Sequence, residues 1–129
     1  MICEIILTGN ELLIGKTRDK NGIWLINQLN PLGAKVNRLT IIPDNLKIIA
    51  ETISQTLLRK PFYLFISGGL GPTFDDMTLQ GVAKGLNLPL EENKKAKQYI
   101  LQYYNQKYSI STIKKLKEKY PHFIKLAKI

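Results

Sequence analysis

At 129 residues the chain has room for one hydrophobic core and not for two domains of ordinary size. Hydrophobic residues make up 44% and charged residues 22%, a globular balance that excludes disorder over long stretches. Nineteen Lys and Arg against ten Asp and Glu give a net charge of +9, and ten of the lysines lie between Lys94 and Lys128. No nucleic-acid motif accompanies those lysines, so a solvated helix face is favoured over a nucleic-acid groove and no nucleic-acid partner is expected.

The first segment, residues 2–7, is apolar apart from Glu4 and runs into Thr8-Gly9-Asn10, as a buried parallel strand does on entering a loop. Nothing in it resembles a signal peptide, and no apolar run approaches the ~20 residues that span a bilayer. The expectation is a soluble, cytoplasmic protein with no membrane partner. Cys3 is the only cysteine, which excludes an internal disulfide framework, and its place in the predicted strand favours an inert core thiol.

Beyond the loop with Gly15 and Asp19, the near-helical spacing of Ile23, Trp24, Ile26 and Leu29 predicts a helix, capped by Asp19 or Asn21 and stopped by Pro31 and Gly33. Trp24 falls on its apolar face and reads as core. Residues 34–42 read as a strand closed by Pro43. Asp44 is a good N-cap for a helix carrying Leu46, Ile49, Ile53 and Leu57, with Arg59 and Lys60 at the negative end of its dipole.

Residues 62–66 are aromatic and apolar throughout, which predicts a central strand covered on both faces. A helix through Leu79, Val82, Ala83 and Leu86 follows, then another beginning near Glu91 with Ala96, Tyr99, Ile100 and Tyr103. With Tyr104 and Tyr108 those tyrosines form a stripe suited to a core or a subunit interface. Ser109 or Ser111 would cap a short basic helix before Pro121, and His122, the only histidine, reads as a surface or packing residue. Strands alternating with helices predict one α/β domain over residues 1–129, a three-layer sandwich with a mostly parallel central sheet.

In such sheets ligands collect at the carboxyl ends of strands. The stronger candidate there is Gly68-Gly69-Leu70-Gly71-Pro72-Thr73-Phe74-Asp75-Asp76, whose glycines let main-chain amides approach a phosphate. Asp75 and Asp76 at the start of a helix have an ordinary role as caps, but two adjacent carboxylates after a Gly-rich loop also suit a hard divalent cation. Thr73 could donate to phosphate or hold a local turn. The second candidate is Thr8-Gly9-Asn10-Glu11-Leu12-Leu13-Ile14-Gly15 with Asp19-Lys20-Asn21, read as loop. From it Asn10, Glu11, Asp19 and Asn21 could line the same crevice; taken alone, Glu11 more readily fixes the loop through backbone hydrogen bonds.

Together, Gly9-Asn10-Glu11-Leu12-Leu13-Ile14-Gly15 and the segment from Gly68 to Thr78 resemble the N-terminal domain of the competence/damage-inducible protein A (CinA) family, in the molybdopterin-binding (MoaB/Mog-like) superfamily. Pro43-Asp44-Asn45, where that family has Gly-Asp-Asn, adds to the likeness, which covers essentially residues 2–108. The resemblance implies metal-dependent hydrolysis of a diphosphate bond, as in an ADP-ribose pyrophosphatase, with no deamidase domain. It implies that Gly68, Gly69, Gly71 and Thr73 contact phosphate. Asp75 and Asp76 would be the catalytic pair, binding a divalent metal ion, magnesium or cobalt, or positioning the ligand, with an aspartate able to accept the proton of the attacking water, and Glu11, Asp19 and Asn21 would line the opposite wall.

Two features depart from the pattern. Asp19-Lys20-Asn21 stands where the family has Asn-Thr-Asn, and the family's domain continues past the equivalent of Ile129 into a segment that completes pocket and sheet. A chain shortened there leaves a sheet edge that a second copy would cover, so a homo-oligomer is expected. Two other functions fit the resemblance: binding or transfer of molybdopterin in molybdenum cofactor biosynthesis, and a non-catalytic assembly role. The partner in the first two readings is a small nucleotide or pterin ligand.

Overall fold

Three short apolar segments pair as parallel strands, and helices lie on both faces of the sheet they form. The structure, a computed structural model, describes residues 1–71 and 73–107. Its elements are β1 (Ile2–Thr8), α1 (Asn10–Leu13), α2 (Asn21–Leu29) with a 3₁₀ turn (Asn30–Leu32), β2 (Lys35–Ile42), α3 (Leu46–Leu58), β3 (Tyr63–Ser67), α4 (Thr78–Gly85) and α5 (Lys94–Lys107). The α/β class and parallel sheet expected from the sequence are present. The basic helix expected after Ser109 or Ser111, with Tyr108 and His122, falls outside the described residues.

The sheet order is β2-β1-β3, so β1 is the central strand, and Ile5 pairs with Leu39 on one side and Phe65 on the other. This corrects the assignment of residues 62–66 as central: among the described residues β3 is an edge, and Tyr63 is 50% exposed. Side chains alternate across the sheet. On one face Ile6 packs with Ile42 and with Ile49 and Ile53 of α3, joined by Met77 and Val82. On the other, α2 comes so close that a Cβ on Gly22 would lie 2.5 Å from Leu39 and 3.1 Å from Leu7. Helices α2 and α3/α4 are therefore the outer layers of the three-layer sandwich.

Several local expectations shift. Asn45, not Asp44, caps α3: its extended backbone lets its Oδ1 accept from the N–H groups of Lys47 and Ile48. Residues after β1 form a single helical turn, α1, in place of the expected loop. Asn93 caps α5, accepting from Ala96 N–H, three residues past the expected start. Trp24 is 60% exposed and is not core, because Gly22 occupies the closest approach to the sheet. Tyr99 and Tyr103 are likewise exposed. No helix among the described residues is long and apolar enough to cross a membrane.

Helices α3 and α4 meet across glycines one turn apart. A Cβ on Gly81 would stand 2.3 Å from Ile49 Cγ2, and one on Gly85 2.7 Å from Ala50 O. Gly81→Ala is therefore expected to destabilise the chain by about 1–3 kcal/mol through overpacking, read as a lower denaturant midpoint at constant slope. An unchanged midpoint would mean that the helices separate freely.

A charge lies in the centre of the sheet. Glu4 is 3% exposed, and its carboxylate receives two hydrogen bonds from Arg59 at the end of α3, 2.8 Å from Nε and 2.7 Å from Nη2. Those hydrogen bonds hold Glu4 below the ordinary glutamate range, against the burial that pushes it up. Because the folded value is the lower one, the pair's contribution is complete above the ordinary range and is lost as pH falls through the lowered value. Glu4→Gln is expected to lower stability at neutral pH and flatten the acid limb of a stability-against-pH curve. An acid limb as steep as that of the parent would sink this assignment.

Candidate functional site

The three strands end together. Thr8, Ile42 and Ser67 close β1, β2 and β3, and Gly9 N–H donates to Ile42 O at 3.1 Å. The buried hydroxyls of Thr8 and Thr78 lie 2.9 Å apart, and Thr78 N–H donates to Gly69 O at 3.2 Å. The loop after β3 is thus tied to β1 and to the first turn of α4. Gly68 has φ +98°, and a Cβ there would fall 2.0 Å from Thr8 O, so this close passage admits only glycine.

Between the loops after β1 and β3 lies a cleft of about 220 Å³. Of the residues expected from the sequence it takes Glu11, Asp19, Asn21 and Gly68. Asp19 also serves the helix, as one of its two expected caps: its Oδ1 accepts from Gly22 N–H at 2.8 Å. Asn21, the other, is the first residue of α2 and donates from Nδ2 to Ser67 Oγ at 2.9 Å, joining the two loops across the cleft.

Thr17, Arg18 and Ser67 line the cleft too, and sequence reasoning did not select them; Lys20, noted there only as a departure from the family pattern, is a fourth. Neither Arg18 nor Lys20 makes an ion pair with a described residue. The available signal was that both flank Asp19 in the same short loop. Arg18 and Lys20 share this lining with the carboxylates of Glu11 and Asp19, the hydroxyls of Thr8, Thr17 and Ser67 and the Gly68 backbone, so the cleft offers cationic and hydroxyl donors beside two acids.

The other expected residues gather on the far side of Gly69. Asn10 and Asp44 exchange hydrogen bonds, Asn10 N–H to Asp44 Oδ2 at 3.0 Å and Asp44 N–H to Asn10 Oδ1 at 3.3 Å. Thr73 N–H donates to Asp76 Oδ2 at 2.9 Å, and the Thr73 hydroxyl lies within hydrogen-bonding distance of both Asp75 and Asp76. The Asp76 carboxylate sits against Gly71, where a Cβ would meet it at 2.5 Å. Asp75 and Asp76 do not cap α4, which begins at Thr78 without a side-chain cap. Their carboxylates turn back on Thr73 instead. Among the described residues no three His, Cys, Asp or Glu side chains are grouped so as to hold a metal ion.

Asp44, assigned from sequence to a capping role, belongs to this acidic side. Its Oδ1 is buried without a hydrogen-bond partner among the described residues. Burial foremost, and then the charges of Glu11, Asp75 and Asp76, raise its pKa above the ordinary aspartate range despite the hydrogen bond from Asn10. In the window between the ordinary and raised values the folded chain binds the extra proton, so stability falls as pH rises. Asp44→Asn is expected to raise stability at neutral pH by about 0.5 kcal/mol, a small figure because the residue is only half-buried. A lower denaturation midpoint for this variant would make the carboxylate structural.

A parallel α/β sheet with a polar cleft at the carboxyl ends of its strands describes a small-ligand-binding class of domain. The sequence profile of the family described as "Probable molybdopterin binding domain" matches residues 4–124, and the chain belongs to that family. A protein of Metallosphaera sedula is 46% identical over 93 residues, 72% of this chain and 35% of its own length. The chain spans 35–40% of the length of the curated relatives it matches first. Among solved structures, the protein CinA, of unknown function, from Thermoplasma acidophilum superposes with TM-score 0.80 at 32% identity, over 100% of this chain and 70% of its own. The molybdopterin biosynthesis enzyme MoaB of Thermus thermophilus superposes with TM-score 0.61 at 16% identity, over 77% of this chain and 61% of its own, a likeness of fold.

Proposed function

We propose that the chain binds a phosphate-bearing pterin of the molybdopterin kind, with the phosphate in the cleft between the loops after β1 and β3. The observation that carries this reading is the placement of two cations that make no ion pair with a described residue, Arg18 and Lys20, with the Ser67-Gly68 strand end in one cleft. Membership of the molybdopterin-binding family supplies the ring chemistry. In this reading the guanidinium of Arg18 and the ammonium of Lys20 neutralise the phosphate. Thr17 and Ser67 donate to its oxygens, and Gly68 lets the backbone come close.

Metal-dependent hydrolysis of a diphosphate such as ADP-ribose is the second reading. One observation favours it: Asp44, Asp75 and Asp76 lie close enough to act on one another's charge, beside Glu11 at the cleft. The donor set does not fit a resident divalent ion, since Asp75 and Asp76 are turned onto Thr73 and no third ligand joins them among the described residues. Magnesium is commonly held by one or two carboxylates together with waters and a ligand's phosphates, so a metal here would arrive with the ligand.

Isothermal titration of the chain with neopterin phosphate and with ADP-ribose, each with and without magnesium, separates the readings when the same samples are analysed for AMP. Binding of the pterin phosphate without AMP formation from ADP-ribose is the expected result; magnesium-dependent AMP formation would establish the second reading instead. The double variant Arg18→Ala, Lys20→Ala is expected to weaken binding by about tenfold or more, and the parent's affinity is expected to fall with added salt. Unaltered affinity in the double variant would remove the cleft from the account.

A further inference from the structure

The bridge between Asn21 and Ser67 borders two hollows. On one side is the anion cleft. On the other, a groove of about 350 Å³ runs between α2 and β3, lined by Trp24, Leu25, Phe65 and Ile66 together with the same Asn21 and Ser67. Asn21, Trp24 and Leu25 stand at i, i+3 and i+4 and so share one side of α2. Phe65 pairs in register with Ile5 and therefore lies on the sheet face that α2 covers. The groove is lined by uncharged side chains where the cleft carries charged ones, and the two adjoin at the hydrogen-bonded pair Asn21 and Ser67, which lines both.

We infer that this groove is the ring subsite of the ligand whose phosphate occupies the cleft, and that it takes a fused heteroaromatic ring, pterin or purine, against the indole of Trp24. The inference rests on the phosphate reading above. Size is the first argument. The cleft, at about 220 Å³, is smaller than the roughly 300–1,000 Å³ that enclose a small organic ligand, and so accommodates the phosphate end alone. A ligand with more than a phosphate must extend out of it, and the groove adjoins it at Asn21 and Ser67.

Chemistry is the second argument. Trp24 is 60% exposed on the side of α2 that faces β3, where its indole offers a broad apolar surface with Phe65 and Leu25 beside it. A flat ring gains by covering such a surface whichever ring it is, because stacking on an aromatic face needs no particular hydrogen-bond pattern. The Asn21 and Ser67 side chains at the border can bond to the polar edge of a ring or to the link between ring and phosphate.

Trp24 is the only tryptophan in the chain, so its emission reports on this groove alone. The full chain is titrated with inorganic phosphate, AMP and neopterin phosphate while that emission is followed. The ring-bearing phosphates are expected to bind about tenfold or more tightly than inorganic phosphate and to quench the emission. The preference of neopterin phosphate over AMP, or the reverse, identifies the ring. Trp24→Ala, read by calorimetry, is expected to lose the ring's advantage while keeping inorganic phosphate affinity, and Trp24→Phe to restore most of it.

Equal binding of all three compounds with unchanged emission would overturn the ring subsite and leave the anion cleft standing. Failure of every phosphate compound to bind would overturn both. Emission from the free chain that is blue-shifted and protected from acrylamide would mean that a second copy or another part of the chain covers the groove, which also overturns the inference.

Discussion

Thr8 and Gly68 touch at the carboxyl edge of the sheet, and the rest of the site follows from that contact. The loop after β3 has to pass over the end of β1 at a distance that leaves no room for a Cβ, with a positive φ that glycine alone adopts freely. The hydroxyl pair Thr8–Thr78 then fixes where α4 begins, and Gly81 and Gly85 let α4 lie against α3. One close approach thereby sets the mouth of the cleft and the seating of a helix on the opposite face. Loops that carry a ligand site are most precise when a rigid scaffold holds them, and here the scaffold is the sheet's central strand.

Two acids show how the chain separates structure from site. Glu4 is buried deep in the sheet and has an arginine of its own, which lowers its pKa. Asp44 has a buried oxygen with no partner among the described residues and three acidic neighbours, and its pKa rises. A buried charge with a matched partner is part of a stable core, whereas a cluster of like charges at a strand end is tolerated only at some cost in stability. The cost of the acidic side falls at the same edge of the sheet as the ligand cleft, consistent with its retention for binding rather than for folding.

Much of the architecture was legible because it rests on local periodicity: β1, β2 and β3 as apolar runs, and α3 with helical spacing from Leu46 to Leu57. The order of the strands was not, because β1 and β3 both read as buried runs and the partner of Glu4 lies 55 residues away at Arg59. The cap of α3 was misplaced by one residue because Asp44 and Asn45 are equally good caps in sequence; only backbone torsion and the distant Asn10 assign one to the helix and the other to the site. Apolar spacing alone places Trp24 in the core, because it does not show that Gly22 takes the closest approach of α2 to the sheet and leaves Trp24 60% exposed. The candidate glycines and carboxylates are legible in the sequence, but their division between a cleft where Glu11 and Asp19 stand beside Arg18 and Lys20 and an acidic turn around Thr73 depends on how the loops fold back.

That division gives the site a direction. An anionic group entering at the strand ends meets Arg18 and Lys20 on the α2 side of Gly68, and Asp44, Asp75 and Asp76 on the other. In the proposed reading, repulsion from Asp44, Asp75 and Asp76 and attraction from the two cations would hold a phosphate on the α2 side, where it would also have to avoid the carboxylates of Glu11 and Asp19 in the same lining. The uncharged part of the ligand is then directed away from the carboxylates, and in that direction lie the Asn21–Ser67 bridge and the open indole of Trp24. A molecule with one charged end and one flat apolar end satisfies this layout in a single orientation, whereas a compact anion satisfies only half of it. On the proposed reading, the polarity of the crevice would favour amphipathic, ring-bearing phosphates before any specific hydrogen bond to the ring is considered.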